Sequence, residues 1–311
     1  MSQLARKYRP ATFEEMAGAG NILVAKAIKS ILGRKREDVP HTFLLTGMHG
    51  CGKTTLGRII ARELGCHGMD YKEVDSADAR GIDAIREIRK SVAFPPMEES
   101  ECRIWLLDEC HQITKDGKED LLKVTEEPPE HVYFILCTTN PQELSSVLRS
   151  RCVTFEVQGL TEDEMTQLLR EIVIAEHKRV PDNVLRQIAT DSLGSCRDAL
   201  QILEKVIDLP RQDMLEVAKQ TAAANNEVIE LCRILLTGTS KDWLKVTKIL
   251  KGLEKENPEK IRQSMLGYSK AILMKEDNAK AFLIMDSFLR NPFYGVGNHQ
   301  VIYTCYAALN T

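Results

Sequence analysis

Over the first 158 residues, hydrophobic and polar positions switch repeatedly between two periods. Short segments at Thr42–Thr46, Tyr71–Asp75, Arg103–Leu107, Val132–Cys137 and Val153–Val157 read as strands. Between them, apolar residues recur every three or four positions, the spacing of an amphipathic helix. Asn21–Leu32 is one such segment, with Ile22, Ala25, Ile28 and Leu32 on one face and Asn21 as its N-cap. Others follow Lys53, run from Ile82 to Val92 before Pro95-Pro96, and run from Lys118 to Glu126 before Pro128-Pro129. After Arg103 the run 103–107 is apolar, and 132–137 is apolar throughout, as in parallel strands covered on both faces. This alternation predicts an α/β domain with a parallel sheet over residues 1–158, with polar residues at the strands' C-terminal ends. The basic, aromatic segment Arg6–Phe13 reads as extended up to Pro10.

From Gly159 onward the pattern is wholly helical. Thr161 and Glu164 have the capping-box spacing, and Met165, Leu168, Leu169, Ile172 and Val173 share one side of the helix that follows. Pro181 opens a second helix and Gly194–Leu200 a third, giving a three-helix module over 159–211. A further helical block occupies 212–311. There Ile261, Met265, Tyr268 and Ile272 form the stripe of a helix packed in a bundle.

Composition narrows the partners. A net charge of −3 with 28% charged residues confines any DNA-binding surface to a local basic patch. No apolar run approaches the roughly 20 residues that cross a bilayer, and the first residues lack the apolar core of a signal peptide. The nine cysteines form no C-x-x-C pair. They read as reduced thiols of a cytosolic protein, several of them buried as small hydrophobes, without a structural zinc site.

The chemistry centres on Gly47-Met48-His49-Gly50-Cys51-Gly52-Lys53-Thr54, which has the G-x-x-x-x-G-K-[ST] spacing of a phosphate-binding loop. It stands between a predicted strand and a predicted helix, the context that gives the motif meaning. Gly47, Gly50 and Gly52 let successive backbone N–H groups point inward at phosphate oxygens, and the helix N-terminus adds its dipole. Lys53 is expected to reach the β- and γ-phosphates and Thr54 to bind Mg²⁺. Asp108-Glu109 closes an apolar strand. Asp108 would hold Mg²⁺ directly or through water, and Glu109 would polarise the attacking water. Thr139 is placed to touch the γ-phosphate or that water, with Asn140 as the alternative. Arg197 opens a helix, where a cation opposes the dipole and an anion nearby would offset it.

Several strings, taken together, resemble one family. They are Leu4–Pro10, the phosphate loop, Asp108-Glu109-Cys110-His111, Glu126–Val132, Thr138-Thr139-Asn140-Pro141-Gln142, Leu148-Arg149-Ser150-Arg151-Cys152 and Gly194–Leu200. The chain is similar to the ATPase subunits of sliding-clamp loaders, above all the gamma/tau subunit of bacterial DNA polymerase III and the small subunits of replication factor C. The resemblance covers about residues 4–206. It implies an AAA+ ATPase domain (1–158), a three-helix lid (159–211) and a helical collar (212–311) that holds a five-subunit ring together. It further implies that Lys53 and Thr54 bind ATP and Mg²⁺, Asp108-Glu109 is the Walker B pair, Thr139 is sensor 1 and Arg197 sensor 2. Arg151 is then the arginine finger offered to the neighbouring subunit's ATP. Tyr8, Arg9, Pro10, His49, Cys51, Thr55 and Asn140 complete the implied nucleotide contacts. The partners implied are the sliding clamp, the other ring subunits and primer–template DNA, with no membrane.

Two departures stand out. The bacterial gamma/tau subunit carries a four-cysteine zinc module after the phosphate-loop helix, where this chain has only Cys66 and His67. The segment Ala79–Arg86 instead resembles replication factor C, which implies DNA-backbone contacts at Arg80, Gly81, Ile82, Arg86 and Lys90. Arg86 and Lys90 fall one turn apart on one helix face. The chain also stops soon after the collar, a compact form that suits a virus-encoded replication system. Two other readings stand beside the motor subunit: a non-hydrolysing scaffold subunit of such a ring, and another AAA+ DNA motor such as a branch-migration helicase.

Overall fold

The computed structural model describes residues 2–76, 82–97, 100–225, 227–255, 258–274, 277–290 and 298–310. Its contacts divide the chain into two compact units, Arg6–Leu160 and Thr161–Thr311, the second joined by the chain start up to Ala5. Leu4 is buried in that second unit, and the Gln3 N–H donates to Glu204 Oε1 (2.9 Å).

In the first unit, helices α1 (Gln3–Lys7, which begins in the other unit), α2 (Ala19–Leu32), α3 (Lys53–Glu63), α4 (Ile82–Ser91), α5 (Lys115–Glu126) and α6 (Ser146–Ser150) alternate with five strands. These are β1 (Thr42–Thr46), β2 (Tyr71–Asp75), β3 (Arg103–Asp108), β4 (Val132–Thr138) and β5 (Val153–Glu156). All pair in parallel in the order β2-β3-β4-β1-β5, as the sequence pattern predicts for an α/β sheet. Successive side chains of a strand face opposite ways. Phe43, Leu45, Ile104, Leu106, Tyr133 and Ile135 therefore pack with Ala25, Ile28, Leu56 and Ile60 of α2 and α3. Leu44, Trp105, Leu107, Phe134 and Leu136 pack with Ile85, Ile88, Leu121 and Val124 of α4 and α5. Helix α3 lies so close to the sheet that a Cβ on Gly57 would stand 2.6 Å from Leu106 Cδ1.

Some local expectations need correction. Arg6 and Lys7 belong to α1 rather than to an extended segment. Helix α2 begins at Ala19 after Gly18, so Asn21 is not its cap. Asn21 is instead buried. Its Nδ2 donates to Ala17 O (3.2 Å) and Gln158 O (3.0 Å), while its Oδ1 accepts from the Gln158 N–H (2.9 Å). Helix α5 starts three residues earlier than expected, because the Thr114 hydroxyl accepts from the Gly117 N–H and caps it.

A buried ion pair fastens the segment after α4. Arg103 donates from Nε and Nη2 to Asp70 Oδ1 (2.9 and 2.8 Å) and to the carbonyls of Ser91 and Pro95. Asp70 Oδ2 accepts from the Met97 N–H (2.8 Å). Burial opposes ionisation of Asp70, but the Met97 N–H and the Arg103 guanidinium outweigh it and hold the carboxyl below its usual range.

The second unit is helical: α7 (Glu162–Ala175), α8 (Asp182–Asp191), α9 (Cys196–Val206), α10 (Met214–Asn225), α11 (Glu227–Thr237), α12 (Trp243–Gly252), α13 (Pro258–Leu273), α14 (Ala279–Arg290) and α15 (Asn298–Asn310). Thr161 and Glu164 form the expected capping box. Helix α10 packs on α8, α9 and α11, which joins residues 161–311 into one body. Ile261, Met265 and Tyr268 are buried in its core, with Ile272 at the core's edge. Asp191, fully buried on α8, accepts from Arg233 of α11 (2.5 Å) and from Gln187 (3.0 Å). Burial pushes the Asp191 carboxyl up despite that pairing. Among the described residues, no helix is long and apolar enough to cross a membrane.

Candidate nucleotide site

The C-terminal ends of β3, β4 and β1 lie side by side, and the loops that leave them carry the polar residues. After β1 the chain turns through Gly47 (φ 143°), Gly50 (φ 72°) and Gly52 (φ 109°) into α3. Only glycine fits at Gly47, since a Cβ there would meet the Val157 carbonyl oxygen at 2.1 Å. Val157 in turn donates its N–H to Thr46 O (2.7 Å), so the exit of β5 braces the loop.

Lys53 is 5% exposed, and its ammonium donates to the carbonyls of Gly47 (3.0 Å) and Met48 (2.9 Å). It has no carboxylate partner among the described residues. A buried cation facing only carbonyl oxygens in a glycine-rich turn fits a bound polyphosphate. Thr54 Oγ1 donates to Asp108 Oδ2 (2.7 Å), bringing a hydroxyl and a carboxylate oxygen together across β4. That pair of hard oxygen donors suits Mg²⁺, which binds through few protein ligands and retains water.

Glu109 has a left-handed backbone (φ 48°, ψ 42°), uncommon for a residue with a side chain. The turn brings its carboxylate to the end of β4, where Thr139 Oγ1 donates to Oε2 (3.1 Å). His111 Nδ1 lies 3.3 Å from the same Oε2 and 3.0 Å from Thr138 Oγ1. Sequence reasoning assigned no role to His111 or Thr138, although both stand inside the strings singled out. Asn140 faces Glu143 Oε1 through Nδ2 (3.1 Å) and donates its N–H to Thr138 Oγ1 (3.0 Å).

Other expected contacts are scattered. Cys51 is buried in the loop, where burial pushes its thiol up. His49 is exposed, and Thr55, Tyr8, Arg9 and Pro10 are half-buried in the same unit. Arg151, at the end of α6, donates to Leu122 O (3.1 Å) and to Glu126 Oε1 (2.7 Å) of its own α5. Arg197 lies in the first turn of α9, in the other unit. Lys90 is exposed on α4. Arg80 and Gly81 lie outside the described residues, as do the side chains of Ile82 and Arg86.

Comparison with known proteins places this arrangement in a family. A family model described as DNA polymerase III, delta subunit, matches residues 70–161. DNA polymerase III subunit gamma of Buchnera aphidicola subsp. Schizaphis graminum is 31% identical over 282 residues, covering 82% of this chain and 76% of that protein. The chain belongs to the DNA polymerase III gamma/tau family of AAA+ clamp-loader subunits. Subunit gamma of Buchnera aphidicola subsp. Acyrthosiphon pisum is 34% identical over 227 residues, which cover 62% of its length. The Escherichia coli tau subunit is 32% identical over 225 residues, only 34% of its length. Against these two relatives, then, the match reaches less than two thirds of the whole protein. Among solved structures, the Thermotoga maritima RuvB Holliday junction branch migration motor aligns with 74% of this chain and 80% of its own at a TM-score of 0.57 and 22% identity. At that identity the likeness shows the fold of this chain and nothing finer.

Proposed function

We propose that this chain is an ATP-hydrolysing subunit of a sliding-clamp loader. The observation that carries the reading is the bond between Thr54 and Asp108, which unites the phosphate loop with the acidic end of β3. Lys53 and the loop N–H groups would bind the phosphates of ATP, and Glu109 would take the proton of the attacking water. Mg²⁺ held by Thr54 and Asp108 would neutralise phosphate charge. Thr139 orients Glu109, and Arg197 would reach the nucleotide as residues 159–211 act as a lid. Residues 212–311 would serve as the collar of a five-subunit ring. Arg151 would act on the ATP of the adjacent subunit, its guanidinium oriented meanwhile by Leu122 and Glu126. Lys90, with Arg80 and Arg86, would grip the backbone of primer–template DNA, contacts that fix position without reading sequence. Binding of ATP would then open the clamp and DNA would trigger its release, in the cytoplasm. A branch-migration motor shares the fold alone.

The test is a mixing experiment. Arg151→Ala should bind ATP nearly normally and hydrolyse it poorly, because an arginine supplied in trans is worth about 10³–10⁵ in rate in other nucleotide hydrolases. Mixed with Lys53→Ala, which cannot hold ATP but carries its own Arg151, it should regain activity at mixed interfaces. Full-rate hydrolysis by demonstrably monomeric wild-type protein would overturn the ring.

A further inference from the structure

We propose that His111 is a positioning residue for the general base. It would do so by sharing its Nδ1–H between Thr138 Oγ1 and Glu109 Oε2, and the inference rests on the hydrolytic reading of Glu109. The geometry constrains the imidazole closely. Its side chain is only 10% exposed, and Nδ1 faces two oxygens, at 3.0 and 3.3 Å. An ionised carboxylate only accepts hydrogen bonds, so Nδ1 attracts Glu109 only if it bears the proton. The opposite tautomer would set a nitrogen lone pair against the carboxylate. Thr138 Oγ1 already accepts from the Asn140 N–H and, as a hydroxyl with two lone pairs, accepts a second donor.

The backbone on either side is fixed as well. The Gln112 N–H donates to Glu109 O (2.9 Å), closing the short turn that carries His111. Lys118 of α5 donates from Nζ to His111 O (2.7 Å) and to Glu143 O (3.2 Å), tying that turn to the segment after β4. His111 therefore approaches Glu109 from one side and Thr139 from another. Both converge on Oε2. That fixes the roll of the carboxylate and presents Oε1 to the attacking water, an arrangement neither donor secures alone.

Substitutions separate this role from simple packing. Asparagine places its Nδ2–H close to where Nδ1–H stands, whereas glutamine carries its amide farther out, near Nε2, and leucine has no donor. In the assembled protein His111→Asn should keep kcat within about threefold, while His111→Gln and His111→Leu should lose about tenfold or more, KM for ATP staying within about threefold in all. Equal loss in all three, or none in the glutamine and leucine variants, would overturn the proposal. The tautomer is read independently of turnover by nitrogen–proton correlation spectra of histidine-labelled protein, with the His111 signal assigned by its absence in His111→Asn. A protonated Nδ1 is expected, and a protonated Nε2 with bare Nδ1 would refute the proposal. Glu109→Gln serves as the control: turnover unchanged there removes the hydrolytic reading itself, whereas lost turnover there with an unaffected His111→Leu removes only the role of His111.

Discussion

Replacing Asn21 by leucine tests how the phosphate loop is braced. The side chains are similar in size, so the change removes hydrogen bonds while leaving little void. Three are lost: one to Ala17 O, one to Gln158 O and one from the Gln158 N–H. At a net worth of about 1 kcal/mol each, the loss is about 3 kcal/mol. For a unit of this size that lowers the melting temperature by roughly 6–12 °C, at 2–4 °C per kcal/mol. The chain offers a clean assay, because it has two tryptophans, Trp105 in the sheet and Trp243 in the helical unit. In a Trp243→Phe background, Trp105 fluorescence reports unfolding of the sheet unit alone. ATP affinity should fall with stability, since Gln158 directly follows Val157, whose carbonyl packs over Gly47. Asn21→Asp keeps the acceptor for the Gln158 N–H but sets a carboxylate against two carbonyls, and should melt no higher than the leucine variant. A melting temperature for Asn21→Leu within about 2 °C of its parent, on the order of less than 1 kcal/mol, would refute the reasoning.

Two further outcomes concern charge and pH. Asp70→Asn should cost about 3–5 kcal/mol at neutral pH, because it leaves the largely buried Arg103 without its counter-charge. The Asp70 carboxyl is depressed below the ordinary 3.8, so its stabilisation is present above that value and is lost as pH falls through the lower folded value. Urea unfolding of the variant should accordingly show a flatter acid limb, and an unchanged limb would remove Asp70 from it. Arg233→Leu should cost a similar 3–5 kcal/mol, roughly, at pH 7 by stranding the Asp191 charge. Here the sign reverses. The Asp191 carboxyl is raised above 3.8, so its favourable contribution is present below that value and is lost as pH rises through the higher folded value. The variant, followed by Trp243 in a Trp105→Phe background, should therefore recover part of its deficit toward about pH 4–5, and a deficit constant with pH would count against this assignment.

Most of the sheet was legible because its strands announce themselves. Runs such as Val132–Cys137 are apolar on every position, and the proline pairs at 95–96 and 128–129 stop the helices before β3 and β4. The phosphate loop and Asp108-Glu109 were legible for a similar reason, being contiguous strings at strand ends. What escaped was decided by partners distant in sequence or by unusual backbone. Asn21 resembled a cap because Asn favours caps, while its true partner, Gln158, stands 137 residues away. Helix α5 begins before Lys118 because the Thr114 hydroxyl accepts from the N–H of Gly117, a poor helix former that stands in its first turn. His111 meets Glu109 only because Glu109 adopts a positive φ, which nothing in a string of residue types foretells.

The parallel sheet also separates two kinds of freedom. Every group assigned to nucleotide chemistry on the first unit's strands leaves from a C-terminal edge: Lys53 and Thr54 beyond β1, Asp108 and Glu109 at β3, Thr139 at β4. The opposite edge is entered, among others, by the segments 33–41, 127–131 and 151–152, and among the described residues none bonded to the carboxylates of Asp108 and Glu109 comes from them. Apart from Arg151, proposed to act on the adjacent subunit's ATP, lineages of such a protein can lengthen or recharge that edge to meet new neighbours while the proposed reaction centre stays untouched. The edge proposed to hydrolyse ATP and the edge that can drift are opposite ends of the same five strands.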